Sequence, residues 1–200
     1  MTTKLITPPQ YEPVTLTQAK LQCRVEPAVT DDDALIALLI STARQRAEHE
    51  LMRSLMRQTW EVALDDWGDG IELAYPPVLA IDSVKYIDTA GTEQTLAANQ
   101  YSLDRDREPG WLVPAYGVTW PAVLDTPNAV RVRYRAGYSD DASEATQQAA
   151  VPAAIRHWIL IQVASLYAHR EQIVAGVSIA ELPTRFVAGL LDRYRIYSLR

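Results

Sequence analysis

Cysteine, glycine and phenylalanine are all scarce in this chain of 200 residues. The one cysteine, Cys23, excludes a disulfide framework within the chain and favours reducing surroundings. The 8 glycines show neither of the spacings that cradle phosphates, so no nucleotide-binding loop is predicted. One Phe stands against 5 Trp and 10 Tyr, the aromatic residues that tolerate partly wet positions and are enriched at interfaces.

Long apolar runs are missing as well. The most apolar stretch, residues 158–168, falls well short of the ~20 residues that a membrane span needs, and it predicts a buried helix instead. The N-terminal sequence MTTKLITPP has no apolar core of a signal peptide, so we expect neither a signal peptide nor membrane association. An apolar fraction of 48% and a charged fraction of 22% are typical of a globular protein.

Negative charge is concentrated in the middle of the chain. Residues 58–140 contain 6 Lys/Arg and 13 Asp/Glu, whereas the rest of the chain is close to neutral. Non-specific DNA affinity needs several cations that neutralise phosphates, so an acidic middle region argues against it. The same charge is compatible with a protein that lets DNA pass without binding it.

The spacing of apolar residues predicts four helices. They are expected over residues 16–23, 30–56, 152–174 and 183–199. Thr15 and Gln18 have the spacing of a capping box at the start of the first helix. The third is expected to be the central core helix, which buries Ile155, Trp158, Ile159, Val163, Leu166 and Tyr167.

A period of two replaces the helical period in the middle of the chain and predicts antiparallel strands. Residues 60–64 and 71–75 are expected to pair as a hairpin around a polar turn at 65–70. A second hairpin is expected between residues 84–87 and 93–96. Two weaker strands are predicted over residues 101–104 and 111–113. The last strand, residues 129–136, alternates Val130, Val132 and Tyr134 on a buried face with three arginines on a wet face.

The predicted fold class is therefore α+β, a helical core with an antiparallel β insertion. The core is expected to combine two N-terminal helices within residues 14–57 with two C-terminal helices within residues 151–199. The insertion spans residues 58–138, and the whole forms one compact domain. Residues 1–13 contain three prolines and are expected to form an extended arm, and residues 139–150 a mobile loop.

No group of residues predicts catalysis, a cofactor or a metal. The three aspartates at 31–33 point in different directions on a helix and are expected to stabilise its start. The acidic segment at 65–70 lacks oxygen ligands at the third and twelfth positions of a calcium loop, so a turn is predicted. Cys23 has potential base partners in His49, His157 and His169. None of them lies in a recognisable nucleophile motif, and a small buried thiol is the favoured interpretation.

Eight residues are candidates for contact with a neighbouring subunit or with DNA in a channel. They are Arg131, Arg133, Arg135, Trp111, Tyr116, Trp120, Arg170 and Glu171. The three arginines share one strand face and could contact phosphates. A solvated face or ion pairs with carboxylates of the chain is the favoured interpretation, and salt bridges between subunits remain a third one.

Several short segments, in their order along residues 13–199, resemble those of the tailed-phage head–tail connector family, in particular members with a β-rich insertion. The segments are PVTLTQAK at 13–20, DDDALI at 31–36, TWE at 59–61, YPPV at 75–78, YIDTAG at 86–91, PAYG at 114–117 with WP at 120–121, VRYRAGY at 132–138, VPAAI at 151–155 and HRE at 169–171.

This resemblance implies a structural subunit that forms a ring beneath the portal, extends the DNA channel and joins the tail. It implies no reaction and no cofactor. The implied partners are further copies of the chain, the portal protein and a tail-completion or next connector protein, with DNA passing through. The implied location is the head–tail junction of a virion assembled in the bacterial cytoplasm. The alternatives are a nucleic-acid-binding module that uses the three arginines and, third, a small hydrolase.

Overall fold

The computed structural model describes residues 1–169 and 184–196 and has the predicted α+β fold class. Its helices are α1 (Leu16–Cys23), α2 (Asp33–Leu51), α3 (Glu144–Ala150), α4 (Ala153–Ala168) and α5 (Thr184–Asp192). Its strands are β1 (Thr2–Thr7), β2 (Gln58–Leu64), β3 (Ile71–Leu73), β4 (Val78–Ile87), β5 (Glu93–Thr95), β6 (Tyr101–Asp104), β7 (Gly110–Pro114) and β8 (Val130–Ala136).

The chain divides into two compact units, each built from two separate segments. A β unit comprises Met1–Gln10 and Met52–Ala142, and a helical unit comprises Tyr11–Leu51 and Ser143–Arg200. The residues predicted to form an extended arm are thus partly a strand, because β1 pairs antiparallel with β2. The strand was not predicted because three prolines follow it closely, and prolines disfavour regular structure.

The predicted helix starts are confirmed to within three residues, and α2 and α5 end earlier than predicted, at Leu51 and Asp192. Thr15 and Gln18 form the reciprocal capping box that begins α1. Helix α2 ends at Leu51 and not near Met56, because Met52 adopts a left-handed conformation with φ 54°. Residues 144–150, predicted as part of a mobile loop, form α3, whose Glu, Gln and Ala residues favour a helix.

The core of the helical unit is centred on α4, which packs against α1, α2 and α5. It buries Ile155, Trp158, Ile159 and Val163 as predicted. The prediction for Leu166 is wrong, since its side chain is 38% exposed, and Tyr167 is half-buried. The helix ends at Ala168, and the predicted continuation beyond residue 169 lies outside the described residues.

One side chain ties α1 to α2 through the loop between them. Lys20, on α1, is 4% exposed and donates hydrogen bonds to the carbonyls of Pro27 and Val29 at 2.9 and 2.6 Å. Its ammonium also lies 2.8 Å from the carboxylate of Asp33 in the first turn of α2. A buried ammonium is tolerable only when its donors find such partners.

No single helix among the described residues is long and apolar enough to cross a membrane. Helices α3 and α4 meet the criteria of length and composition only as a pair that is bent by 102°.

The β unit contains two sheets. Sheet A has the strand order β1-β2-β8-β4-β5, and sheet B has the order β3-β7-β6. The hairpin of β4 and β5 confirms one prediction. The predicted hairpin of residues 60–64 with 71–75 is wrong, because β2 pairs with β1 and β8 whereas β3 pairs with β7 in the other sheet.

Strand β8, the middle strand of sheet A, has the predicted alternation of buried and exposed side chains. Val130, Val132 and Tyr134 are fully buried and join a core that the two sheets share, while the arginines between them face away from it. Tyr134 donates its hydroxyl hydrogen to the carbonyl of Ala74 at 2.7 Å. Burial disfavours the charged form and raises the pKa of this phenol, so it stays neutral.

Candidate assembly surfaces

Arg131, Arg133 and Arg135 lie on the outer face of sheet A, and we call them the arginine ladder. Because β8 lies between β2 and β4, carboxylates from both neighbouring strands can reach these arginines. In the register of the sheet, Glu61 on β2 lies opposite Arg133. The Glu61 carboxylate accepts hydrogen bonds from Arg133 at 2.8 Å and from Arg131 at 3.3 Å. One carboxylate therefore serves two guanidinium groups.

Arg135 has two carboxylate partners of its own. The pairing of β4 with β8 shifts register between Ile81 and Ser83, and this leaves Asp82 as the extra residue of a bulge. Arg135 donates to Asp82 at 2.8 Å and to Asp140 at 2.5 Å. Partial burial opposes the charge of Arg135, but the hydrogen bond to Asp82 and the nearby carboxylates outweigh it and raise the pKa of the guanidinium. The ladder consists of ion-paired arginines, the favoured interpretation of its sequence.

A second surface of the β unit is a pocket that the sequence did not predict. We call it the acidic tryptophan groove, a pocket of about 550 Å³ lined by Asp65, Asp66, Trp67, Gly68, Trp120, Pro121, Ala122, Val123, Leu124 and Asp125. The rings of Trp67 and Trp120 stack in it with their centroids 4.6 Å apart and an interplanar angle of 8°. The lining contains three carboxylates and no basic side chain.

Two hydrogen bonds hold the groove in place. The indole nitrogen of Trp67 donates to the carbonyl of Pro121 at 2.9 Å, and the backbone N–H of Asn128 donates to Asp65 at 2.7 Å. The segment at 65–70 is therefore no hairpin turn. Trp67 is 3% exposed and belongs to the core. The sequence predicted a turn here, and a Trp between Asp66 and Gly68 is the signal from which this packing could have been found.

The structure distributes the other candidate residues over separate places. Trp111 lies on β7, where the guanidinium of Arg107 sits 4.3 Å from the centre of its ring. Tyr116 is fully exposed in the loop after β7, and Trp120, in the same loop, belongs to the groove. Arg170 and Glu171 lie outside the described residues.

The residues considered for chemistry do not assemble a reactive site in the part of the chain that the structure describes. No three His, Cys, Asp or Glu side chains come together there as a metal site. Partial burial raises the pKa of the Cys23 thiol, which disfavours the reactive thiolate. Asp32 accepts a hydrogen bond from the Tyr167 hydroxyl at 2.5 Å, so two of the three aspartates at 31–33 have structural contacts.

Comparison with known protein families finds the similarity that the sequence suggested. Residues 13–105 match the family described as "Phage gp6-like head-tail connector protein", so the predicted resemblance to head–tail connectors is confirmed. No curated protein matches the chain.

Solved structures of gene transfer agent (GTA) particles have the same fold. A chain from the "Neck of empty GTA particle computed with C6 symmetry" is 21% identical, with a TM-score of 0.79. Chains from the virion of a native GTA particle and from the "Neck of native GTA particle computed with C12 symmetry" are 21% and 23% identical, with TM-scores of 0.77 and 0.68. Each likeness covers 100% of this chain and 98% of the other chain.

We expect the arginine ladder to be dispensable for folding. Arg131 and Arg133 have side chains that are 50% and 46% exposed, and exposed cations contribute about 0–1 kcal/mol to such pairs. Their partner Glu61 is only 14% exposed, but a glutamine at either position can still donate an amide hydrogen bond to it. The double variant Arg131→Gln/Arg133→Gln should therefore unfold in urea within ~1 kcal/mol of the unmodified protein. The control is Arg53→Gln, which removes a nearly buried partner of Glu108 and should cost more. An equal loss in both variants would mean that the ladder is needed for folding.

Proposed function

We propose that this chain is a structural subunit of a phage-type neck, a head–tail connector that forms a ring below the portal. The observation that carries the proposal is the likeness over the full chain to subunits of neck structures, together with the family match over residues 13–105. The two neck structures were computed with C6 and C12 symmetry, which is consistent with a ring.

The surfaces of the β unit support a role in assembly rather than in chemistry. A ring with rotational symmetry uses a heterologous interface, so each subunit needs two different contact surfaces. The β unit offers two different surfaces for this role, the arginine ladder with its charged side chains and the acidic tryptophan groove with its carboxylates and tryptophan rings. Arginine, tryptophan and tyrosine are enriched at protein interfaces.

The proposed partners are further copies of the chain, the portal protein and a tail-completion or next connector protein. DNA would pass through the ring without sequence-specific binding, and carboxylates of residues 58–140 that line the channel would repel its phosphates. The proposed location is the head–tail junction of a virion that is assembled in the cytoplasm of a host bacterium. The protein would be encoded by an active phage or by a prophage.

The test is occupancy of portal-bearing heads. Purified protein is added to heads that carry a portal and lack a connector, and the neck is viewed by negative-stain imaging beside native mass spectrometry of the free protein. We expect a closed ring at the portal vertex, and heads without a portal serve as the control. A protein that neither forms rings nor occupies the portal vertex would contradict the proposal.

The nucleic-acid-binding module is the weaker alternative. The guanidinium groups of the ladder already meet Glu61, Asp82 and Asp140, so a phosphate would have to compete with carboxylates of the same chain. Tight binding of duplex DNA at low salt that is lost in Arg131→Gln/Arg133→Gln would favour the alternative.

A further inference from the structure

The acidic tryptophan groove has the chemistry of a receptor for a guanidinium group. Asp65 and Asp66 each use one oxygen in a hydrogen bond to a backbone N–H, of Asn128 and Trp67. Their second oxygens remain available, and both side chains are exposed, as is that of Asp125. Next to them, Trp120 is half-buried and stacks on Trp67, so it offers part of an aromatic ring. Carboxylates beside a Trp ring suit arginine, which pairs with the former and stacks on the latter.

The arginine ladder supplies guanidinium groups with spare donors. Arg131 and Arg133 share the carboxylate of Glu61 in hydrogen bonds, and Glu93 also lies near Arg131, although each guanidinium carries five N–H donors. About half of each side chain is exposed, so these donors face solvent on the outside of sheet A. The ladder therefore has more donors than its carboxylates can accept.

The ladder and the groove lie on different sides of the β unit. Val130, Val132 and Tyr134 alternate with the arginines along β8, so they point from the opposite face of sheet A into the core. Trp67 belongs to that core and Trp120 packs against it, so the groove lies on the core side of the sheet. The ladder therefore points away from the core on which the groove rests, and a second copy can bring a ladder and a groove face to face.

We infer that the arginine ladder of one copy docks on the acidic tryptophan groove of the next copy, with Arg131 and Arg133 meeting Asp66 and Asp125. The contact is head-to-tail, because each copy keeps a free ladder on one side and a free groove on the other, and repetition closes a ring or extends a filament. This inference rests on the proposed function and names the surfaces that would carry the ring.

Complementary charge reversal tests the docking. The ladder variant is Arg131→Glu/Arg133→Glu, and the groove variant is Asp66→Lys/Asp125→Lys. All four side chains are exposed. In the ladder variant Glu61 loses both partners and lies beside two further carboxylates, so folding is checked first by circular dichroism. Each variant alone places like charges across the contact and should lower ring occupancy of portal-bearing heads by at least about tenfold.

Rescue is the decisive observation. Chains that carry all four substitutions should regain occupancy, because reversed ladders then face reversed grooves. An equimolar mixture of the two variants should regain it as well, since alternating copies make every contact complementary. Asp69→Lys is the matched control: this exposed aspartate lies in the same loop but does not line the groove, so it should change little. If the ladder variant does not fold, Arg131→Gln/Arg133→Gln takes its place and should also weaken occupancy.

The possible results separate this inference from the proposed function. Normal rings from either variant, or no rescue in the combinations, would overturn the docking and leave the connector role intact. Failure of the unmodified protein to occupy portal-bearing heads would overturn both. Loss of duplex DNA binding with unchanged rings in the ladder variant would assign the ladder to nucleic acid and overturn the docking alone.

Discussion

Replacing Gly137 with alanine should destabilise the β unit more than any other small substitution in it. Gly137 follows β8 and has φ +145°, a backbone conformation that side chains rarely adopt. A Cβ atom there would lie 2.7 Å from the carbonyl oxygen of Met56 and 2.9 Å from the backbone nitrogen of Arg57. Both neighbours are backbone atoms and cannot rotate away. Strain and overpacking together should cost about 3 kcal/mol or more, a large fraction of the stability of a typical domain.

Urea denaturation followed by tryptophan fluorescence measures the effect, because the β unit contains Trp60, Trp67, Trp111 and Trp120. Gly117→Ala is the matched control. Gly117 also has a positive φ, +75°, but a Cβ atom added there would meet no atom within 4 Å, so only the conformational cost applies. Equal losses in the two variants would show that the approach to Met56 does not constrain Gly137.

Replacing Lys20 with methionine should cause a comparable loss in the helical unit. The change keeps most of the apolar stem but removes the ammonium that two carbonyls and Asp33 share. Removing one partner of a fully buried pair costs about 3–5 kcal/mol. Asp33 is 29% exposed, so water can partly replace the ammonium and the lower end of that range is expected. Chemical denaturation followed by far-ultraviolet circular dichroism reports this loss of helix.

Two companion variants separate the causes of that loss. Lys85→Met removes a lysine that pairs with Glu93 on the surface and is 44% exposed, so it should cost at most about 1 kcal/mol. Lys20→Met/Asp33→Asn removes the uncompensated charge and should recover part of the stability. If Lys20→Met resembles Lys85→Met, the buried network contributes little.

Local features of the fold were predictable because their causes lie close together in the sequence. The capping box of α1, the β4–β5 hairpin and the alternation of β8 each depend on residues a few positions apart. Strand pairing was less predictable, since a period of two indicates a half-buried strand without naming its partner. The sequence thus paired β2 with its neighbour in the chain, whereas β1 and β8 are its partners in the sheet.

Of the two candidate surfaces, one was predictable from the sequence and the other was not. The arginine ladder was visible because its members alternate along one strand. The groove was not, because it requires the segment 120–125 to meet the segment 65–68, more than fifty residues away. Aspartates surround Trp67 in the sequence, so its segment predicts a polar turn and not a part of the core.

The strand order of sheet A also constrains how the protein folds as it is synthesised. Strand β8 is the last strand in the chain, yet it lies between β2 and β4. When the first 129 residues have left the ribosome, β2 can pair with β1 and β4 with β5, but the two strand pairs have no strand to join them. Each then exposes an open edge, the kind of surface on which chains aggregate. Completion of the sheet is therefore a late event, and the nascent chain must protect two edges until Val130–Ala136 emerges.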